Sequence, residues 1–77
     1  MNKVCQKIGL TIRDIRLKKG MSQEEFSQFT GVHRTYISPL ENGLKNPSIS
    51  TLYKILNSLD ISLFEFFKRT KLWVSQI

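Results

Sequence analysis

The chain has 77 residues, room for one domain, and 40% of them are hydrophobic, enough for a small core and too many for a disordered chain. Twelve Lys and Arg against six Asp and Glu leave a formal charge of +6 at pH 7, which favours a polyanionic partner. A lone cysteine, Cys5, and a lone histidine, His33, exclude a disulfide framework and the usual four-ligand zinc site, and no segment approaches the roughly 18 apolar residues of a membrane span.

The first residues interleave basic and apolar side chains, so they do not form a secretory signal. With a single cysteine, a reducing, cytoplasmic setting is expected. Ile8, Ile12 and Ile15 then recur at the spacing of one helical face. Gly20 supplies the stop, with Lys18 and Lys19 complementing the negative end of the helix dipole. Ser22-Gln23-Glu24-Glu25 is a capping box that opens a second helix, whose Phe26 and Phe29 are expected to face the core. Gly31 interrupts that helix, and Val32 follows.

A third helix is expected from about His33 to Asn42, with Ile37 and Leu40 buried and Gly43 closing it. Asn46-Pro47-Ser48 reads as a loop ending in an N-cap. Leu52, Ile55, Leu56 and Leu59 then give the strongest helical stripe in the chain. Asp60 breaks it, Ser62 is a new N-cap, and Leu63, Phe66 and Phe67 form a last short stripe. No strand-type alternation, internal repeat or low-complexity tract is present. The expectation is an all-α fold, a compact domain of five short helices.

Pro39 fits this pattern poorly. If His33 is the N-cap, Pro39 is the sixth helical residue, where it cannot donate to the Thr35 carbonyl and its ring crowds it. The helix can be kinked with its first turn intact, or split with Ser38 and Pro39 as N-cap and first residue, or the position can be a substituted one. The kink is favoured, because Ile37 and Leu40 still need to pack together.

The second and third helices are joined by about three residues centred on Gly31, and glycine tolerates the positive φ such a turn requires. Two short helices joined this way make a helix-turn-helix, whose second helix enters the DNA major groove N-terminus first. The residues sharpen this. Ile8-Gly9, Ile12-Arg13, Ile15-Arg16, Gly20-Met21-Ser22-Gln23-Glu24-Glu25-Phe26, Gly31-Val32, Tyr36-Ile37-Ser38, Leu40-Glu41-Asn42-Gly43, Asn46-Pro47-Ser48 and Leu52 resemble the Cro/C1-type helix-turn-helix family, also called the XRE family, over roughly residues 8 to 67. Within it, Arg34-Thr35-Tyr36-Ile37-Ser38 looks like the small controller proteins of restriction–modification systems.

The resemblance implies a lambda-repressor-like domain over residues 1–77, with the helix-turn-helix at about 22–42 and a dimerisation region at about 62–77. It also implies a homodimer that binds a pseudo-palindromic operator in double-stranded DNA and regulates transcription, with RNA polymerase a further candidate partner. The alternative is an antitoxin or phage-type repressor of the same fold whose main partner is a protein. No cofactor, metal or small-molecule ligand is expected, and 77 residues leave no room for a ligand-sensing domain. Catalysis is not expected either, since no activated nucleophile, metal site or Gly-rich phosphate loop can be assembled.

Resemblance and groove geometry select the same surface for base contacts: Arg34, Thr35 and Ser38. The Arg34 guanidinium suits guanine O6 and N7, and Thr35 suits a thymine methyl, a base edge or a phosphate. Tyr36 reads as a residue that positions the DNA backbone. Asn42, Lys45 and Asn46, just past the third helix, are expected to clamp phosphates. The resemblance implies that Gln23 reaches a phosphate and braces the start of the third helix. It makes Arg16 a phosphate clamp, against a structural alternative in which Arg16 pairs with Glu41. His33 is either a phosphate contact or a plain surface residue at the turn, and histidine is a poor cap. Lys3, Lys7, Arg13, Lys18 and Lys19 read as general electrostatic attraction.

Apolar residues after the fourth helix exceed what one side of a short fifth helix can bury. Phe64, Phe67, Leu72 and Trp73 are therefore expected in a dimer interface, the alternative being a tail folded back on its own domain.

Overall fold

A computed structural model describes residues 2–72. Within them the chain forms five α-helices and no strand: α1 Lys3–Lys18, α2 Gln23–Thr30, α3 Arg34–Glu41, α4 Ile49–Ser58 and α5 Leu63–Thr70. Their order and type match the sequence pattern. The local reason is clearest at the caps. Ser22, Ser48 and Ser62 each accept a hydrogen bond from the backbone N–H three residues on, at 3.0, 3.1 and 3.0 Å. At α2 the box is complete, because Glu25 accepts in turn from the Ser22 N–H at 2.8 Å. Hydrogen bonding of its carboxylate to Ser22, the backbone N–H first and the side chain second, holds the Glu25 carboxyl below the usual carboxylate range. Asn2, which carried no signal in the apolar pattern, caps α1 through the Val4 N–H.

One core runs through all five helices. Ile8, Ile12 and Ile15 of α1 pack with Phe26, Ile37, Leu40, Leu52, Ile55, Leu56, Leu59 and Phe66. Phe29 departs from expectation: it is 50% exposed, and Thr30 takes the buried place instead. The buried face of this eight-residue helix therefore runs from Phe26 to Thr30, one full turn apart, and Phe29 falls beside it.

α1 lies so close to α3 that a side chain at Gly9 has no room. A Cβ there would stand 2.3 Å from the Leu40 carbonyl oxygen and 2.8 Å from that of Glu41. This contact fixes α3 on the shoulder of α1 and leaves its opposite flank free.

Candidate nucleic-acid interface

The junction between α2 and α3 is built from small polar side chains and one glycine. Gly31 caps α2 at φ 76°, a left-handed conformation that glycine adopts without penalty. Thr30 donates to the Phe26 carbonyl at 2.8 Å and accepts from the Val32 N–H at 3.3 Å. Ser27 donates to the Val32 carbonyl at 2.6 Å, and Lys54 reaches across from α4 to the Gly31 carbonyl at 3.1 Å. The bonds to Val32 and Gly31 satisfy backbone groups of the turn and tie it to α2 and α4. Sequence reasoning missed Ser27, Thr30 and Lys54. Their partners lie in the turn or in another helix, beyond the reach of an apolar count.

His33 does cap α3. Its Nδ1 accepts the Thr35 backbone N–H at 3.2 Å, and the Thr35 hydroxyl lies 2.7 Å from the same nitrogen. From that start α3 runs unbroken to Glu41 with Pro39 inside it. The split at Ser38-Pro39 is therefore not the arrangement adopted. Replacing Pro39 with Ala returns a hydrogen bond to the Thr35 carbonyl and relieves the ring contact. Melting of Pro39→Ala is expected to show a gain of about 1–3 kcal/mol, and an unchanged or lower melting temperature would show that the proline is unstrained.

The outer face of α3 carries the residues expected to read DNA. Arg34 and Thr35 are exposed, and Tyr36 and Ser38 are half-buried. Arg34 Nε lies 3.0 Å from Glu24 Oε1, with both side chains 63% exposed. Such a surface pair contributes little stability, about 0–1 kcal/mol. The sequence pattern did not suggest it. Asn42 caps the far end of α3, and Asn42, Lys45 and Asn46 are all exposed. Lys45 Nζ sits 5.6 Å from the centre of the Tyr36 ring, which brings the loop after α3 onto the same surface as the helix.

Two expected backbone contacts are placed elsewhere. Arg16 is 7% exposed and does not reach the surface. Its Nε and Nη2 donate to Glu41 at 2.6 and 2.9 Å, and its Nη1 donates to the Met21 carbonyl at 2.8 Å. The hydrogen bond to Glu41 raises the Arg16 pKa above its ordinary value against the opposing effect of burial. Arg16 is thus the structural partner of Glu41, and the phosphate-clamp reading is set aside. Gln23 Nε2 donates to Glu41 Oε1 at 3.1 Å. Its brace runs to the last residue of α3, where the start had been expected.

The residues considered for a dimer interface divide. Phe64 is 74% exposed, with Lys68 Nζ 5.3 Å from its ring centre. Phe67 and Leu72 are only partly buried and pack against their own core, Phe67 edge-on to Phe66 at 5.6 Å. Trp73 lies outside the described residues. Among the described residues no group of three or more His, Cys, Asp or Glu side chains could hold a metal ion, and no helix is long and apolar enough to cross a membrane.

A family model described as helix-turn-helix matches residues 12–66. Control protein C.MunI of a Mycoplasma species is 38% identical over 68 residues, spanning 87% of this chain and 92% of that one. Control protein C.BamHI of Bacillus amyloliquefaciens is 39% identical over 61 residues, spanning 78% and 75%. Among solved structures, the restriction–modification controller protein C.Esp1396I, as a tetramer in complex with its natural 35 base-pair operator, superposes with a TM-score of 0.84. It is 34% identical, with 92% of this chain and 93% of that one covered.

Proposed function

Because the chain belongs to the Cro/C1-type helix-turn-helix family, we propose that it is a transcriptional regulator of the restriction–modification controller type. It acts as a homodimer in the cytoplasm on a pseudo-palindromic operator, each α3 entering one major groove. The observation that carries this reading is the exposed N-terminal face of α3, held at a fixed angle by the Gly31 turn and joined to the basic loop through Lys45 and Tyr36. Paired domains of this kind read half-sites about 34 Å apart, one turn of the duplex. The similarity to operator-bound C.Esp1396I supports the same mode of docking. Phe64, open to solvent on α5, supports a second copy as the dimer partner.

Arg34 takes the role of base reader, Thr35 and Ser38 lie beside it, and Tyr36, His33, Asn42, Lys45 and Asn46 face the phosphates. Two variants separate these roles. Arg34→Ala is expected to lose about 1–3 kcal/mol of discrimination at one base pair. Lys45→Ala is expected to weaken all duplexes alike and to flatten the fall of affinity with salt, because one fewer counterion is released. Selected-site sequencing with salt-dependent binding measures both. An Arg34→Ala protein with wild-type base preference would overturn the assignment of Arg34.

A further inference from the structure

The contact between His33 and Thr35 determines which way one proton points. His33 Nδ1 lies 3.2 Å from the Thr35 backbone nitrogen and 2.7 Å from Thr35 Oγ1. The backbone N–H donates in every state of the protein, so it needs a lone pair on Nδ1. A proton on Nδ1 would set two N–H groups against each other across that gap. Nδ1 is therefore placed as an acceptor, the tautomer that carries its proton on Nε2. A bare Nδ1 at 2.7 Å can bond the Thr35 hydroxyl in one way only, with the hydroxyl as donor. The single proton of that hydroxyl is then directed to Nδ1. What Thr35 presents outward, at the exposed start of α3, is a pair of oxygen lone pairs and a methyl group.

The four bases differ in this respect. In the major groove adenine and cytosine offer an amino donor, whereas guanine and thymine offer carbonyl acceptors. An oxygen that can only accept matches the first pair and is repelled by the second. We propose that His33 is a positioning residue that makes Thr35 an acceptor-only reader, so that the base facing the Thr35 hydroxyl is adenine or cytosine in preference to guanine or thymine. The inference rests on the reading of α3 as the helix that enters the major groove. It assigns to the residue before the recognition helix a part in choosing the sequence, beyond starting the helix.

The test uses the full-length protein and in vitro site selection, followed by affinities for four duplexes that differ at one base pair. Thr35→Val, which keeps the shape and the methyl group but lacks the hydroxyl, marks the position that Thr35 reads. There the wild type is expected to bind about fivefold more tightly than to the same duplex whose selected adenine or cytosine lacks its major-groove amino group, the discrimination of one hydrogen bond. His33→Ala frees the hydroxyl to donate and is expected to bring that preference below about twofold. His33→Asn, whose side-chain oxygen caps and accepts as Nδ1 does, is expected to keep it. Adding His33→Ala to Thr35→Val should change the base preference no further. A role confined to holding α3 together would lower every affinity and leave the preference where it was. The proposal is overturned if His33→Ala keeps the wild-type preference, if Thr35→Val alters no position, or if removing the major-groove amino group of the adenine or cytosine in the base pair selected there costs no affinity. A wild-type chain that binds no duplex with salt-dependent affinity overturns the DNA-binding reading itself, and this inference with it. A preference that is present but indifferent to His33 overturns the inference alone.

Discussion

Glu41→Ala is expected to remove about 3–5 kcal/mol of folding stability, measured by urea denaturation. The loss comes from what is left behind. Arg16 is buried against three acceptor atoms, two of them on Glu41. A guanidinium keeps its proton in proteins whatever its neighbours, so Arg16 stays a cation when the carboxylate is gone. An uncompensated charge with little access to water is far less stable than the pair. Gln23 loses its partner at the same time, so the single change loosens the joints of both α1 and α2 with α3. Replacing the pair together, Arg16→Met with Glu41→Leu, should recover most of the loss, because two apolar side chains leave no orphaned charge. A loss under about 1 kcal/mol for Glu41→Ala would mean that the pair is hydrated and that α3 is held by its apolar contacts alone.

Gly9→Ala sets two effects of opposite sign against each other. Alanine is the better helix former by about 1 kcal/mol, so in an open helix the change would stabilise. Here the new methyl would meet the Leu40 carbonyl oxygen at 2.3 Å, and backbone atoms cannot swing aside as a flexible side chain can. α1 and α3 would have to part by about 1 Å to restore ordinary contact, which stretches the Arg16–Glu41 pair and opens the core around Ile12 and Ile37. The steric effect is expected to win, with a net loss at or above the upper end of the roughly 1–3 kcal/mol that overpacking removes. Thermal melting decides it. A Gly9→Ala protein as stable as the wild type would show that the helix contact yields readily.

Much of this architecture is legible in the sequence because it is written locally. The three serine caps, the isoleucine stripe of α1 and the leucine–isoleucine stripe of α4 are each contained within a turn or two of chain. What escaped is what depends on another helix. Phe29 has the right spacing for the core, and only the placement of α4 and the short length of α2 show that Thr30 takes that place. Arg16 offers the same sequence signal whether it grips a phosphate or a carboxylate 25 residues away, and the choice is settled by where α3 packs. Gly9 stands in the family pattern without a local reason, since no turn or positive φ occurs there. Its reason is a neighbouring backbone. His33 was undervalued for a related cause: a poor cap on average can still be a good one when the hydroxyl two residues on joins it.

The Arg34–Glu24 contact has a kinetic consequence. A free arginine side chain carries about 2 kcal/mol of rotamer entropy, and an interface that captures one must overcome that disorder. Glu24, 3.0 Å from Arg34 Nε, holds a carboxylate beside that guanidinium. The restraint also muffles the charge: seen from a distance, the pair is a dipole close to neutral. On the function proposed above, an approaching duplex would be drawn in first by basic groups elsewhere on the domain, such as Lys45. If Arg34 reads a base as proposed above, attraction and discrimination fall to different side chains, and Arg34 acts once the duplex is near enough to compete with Glu24 for its guanidinium.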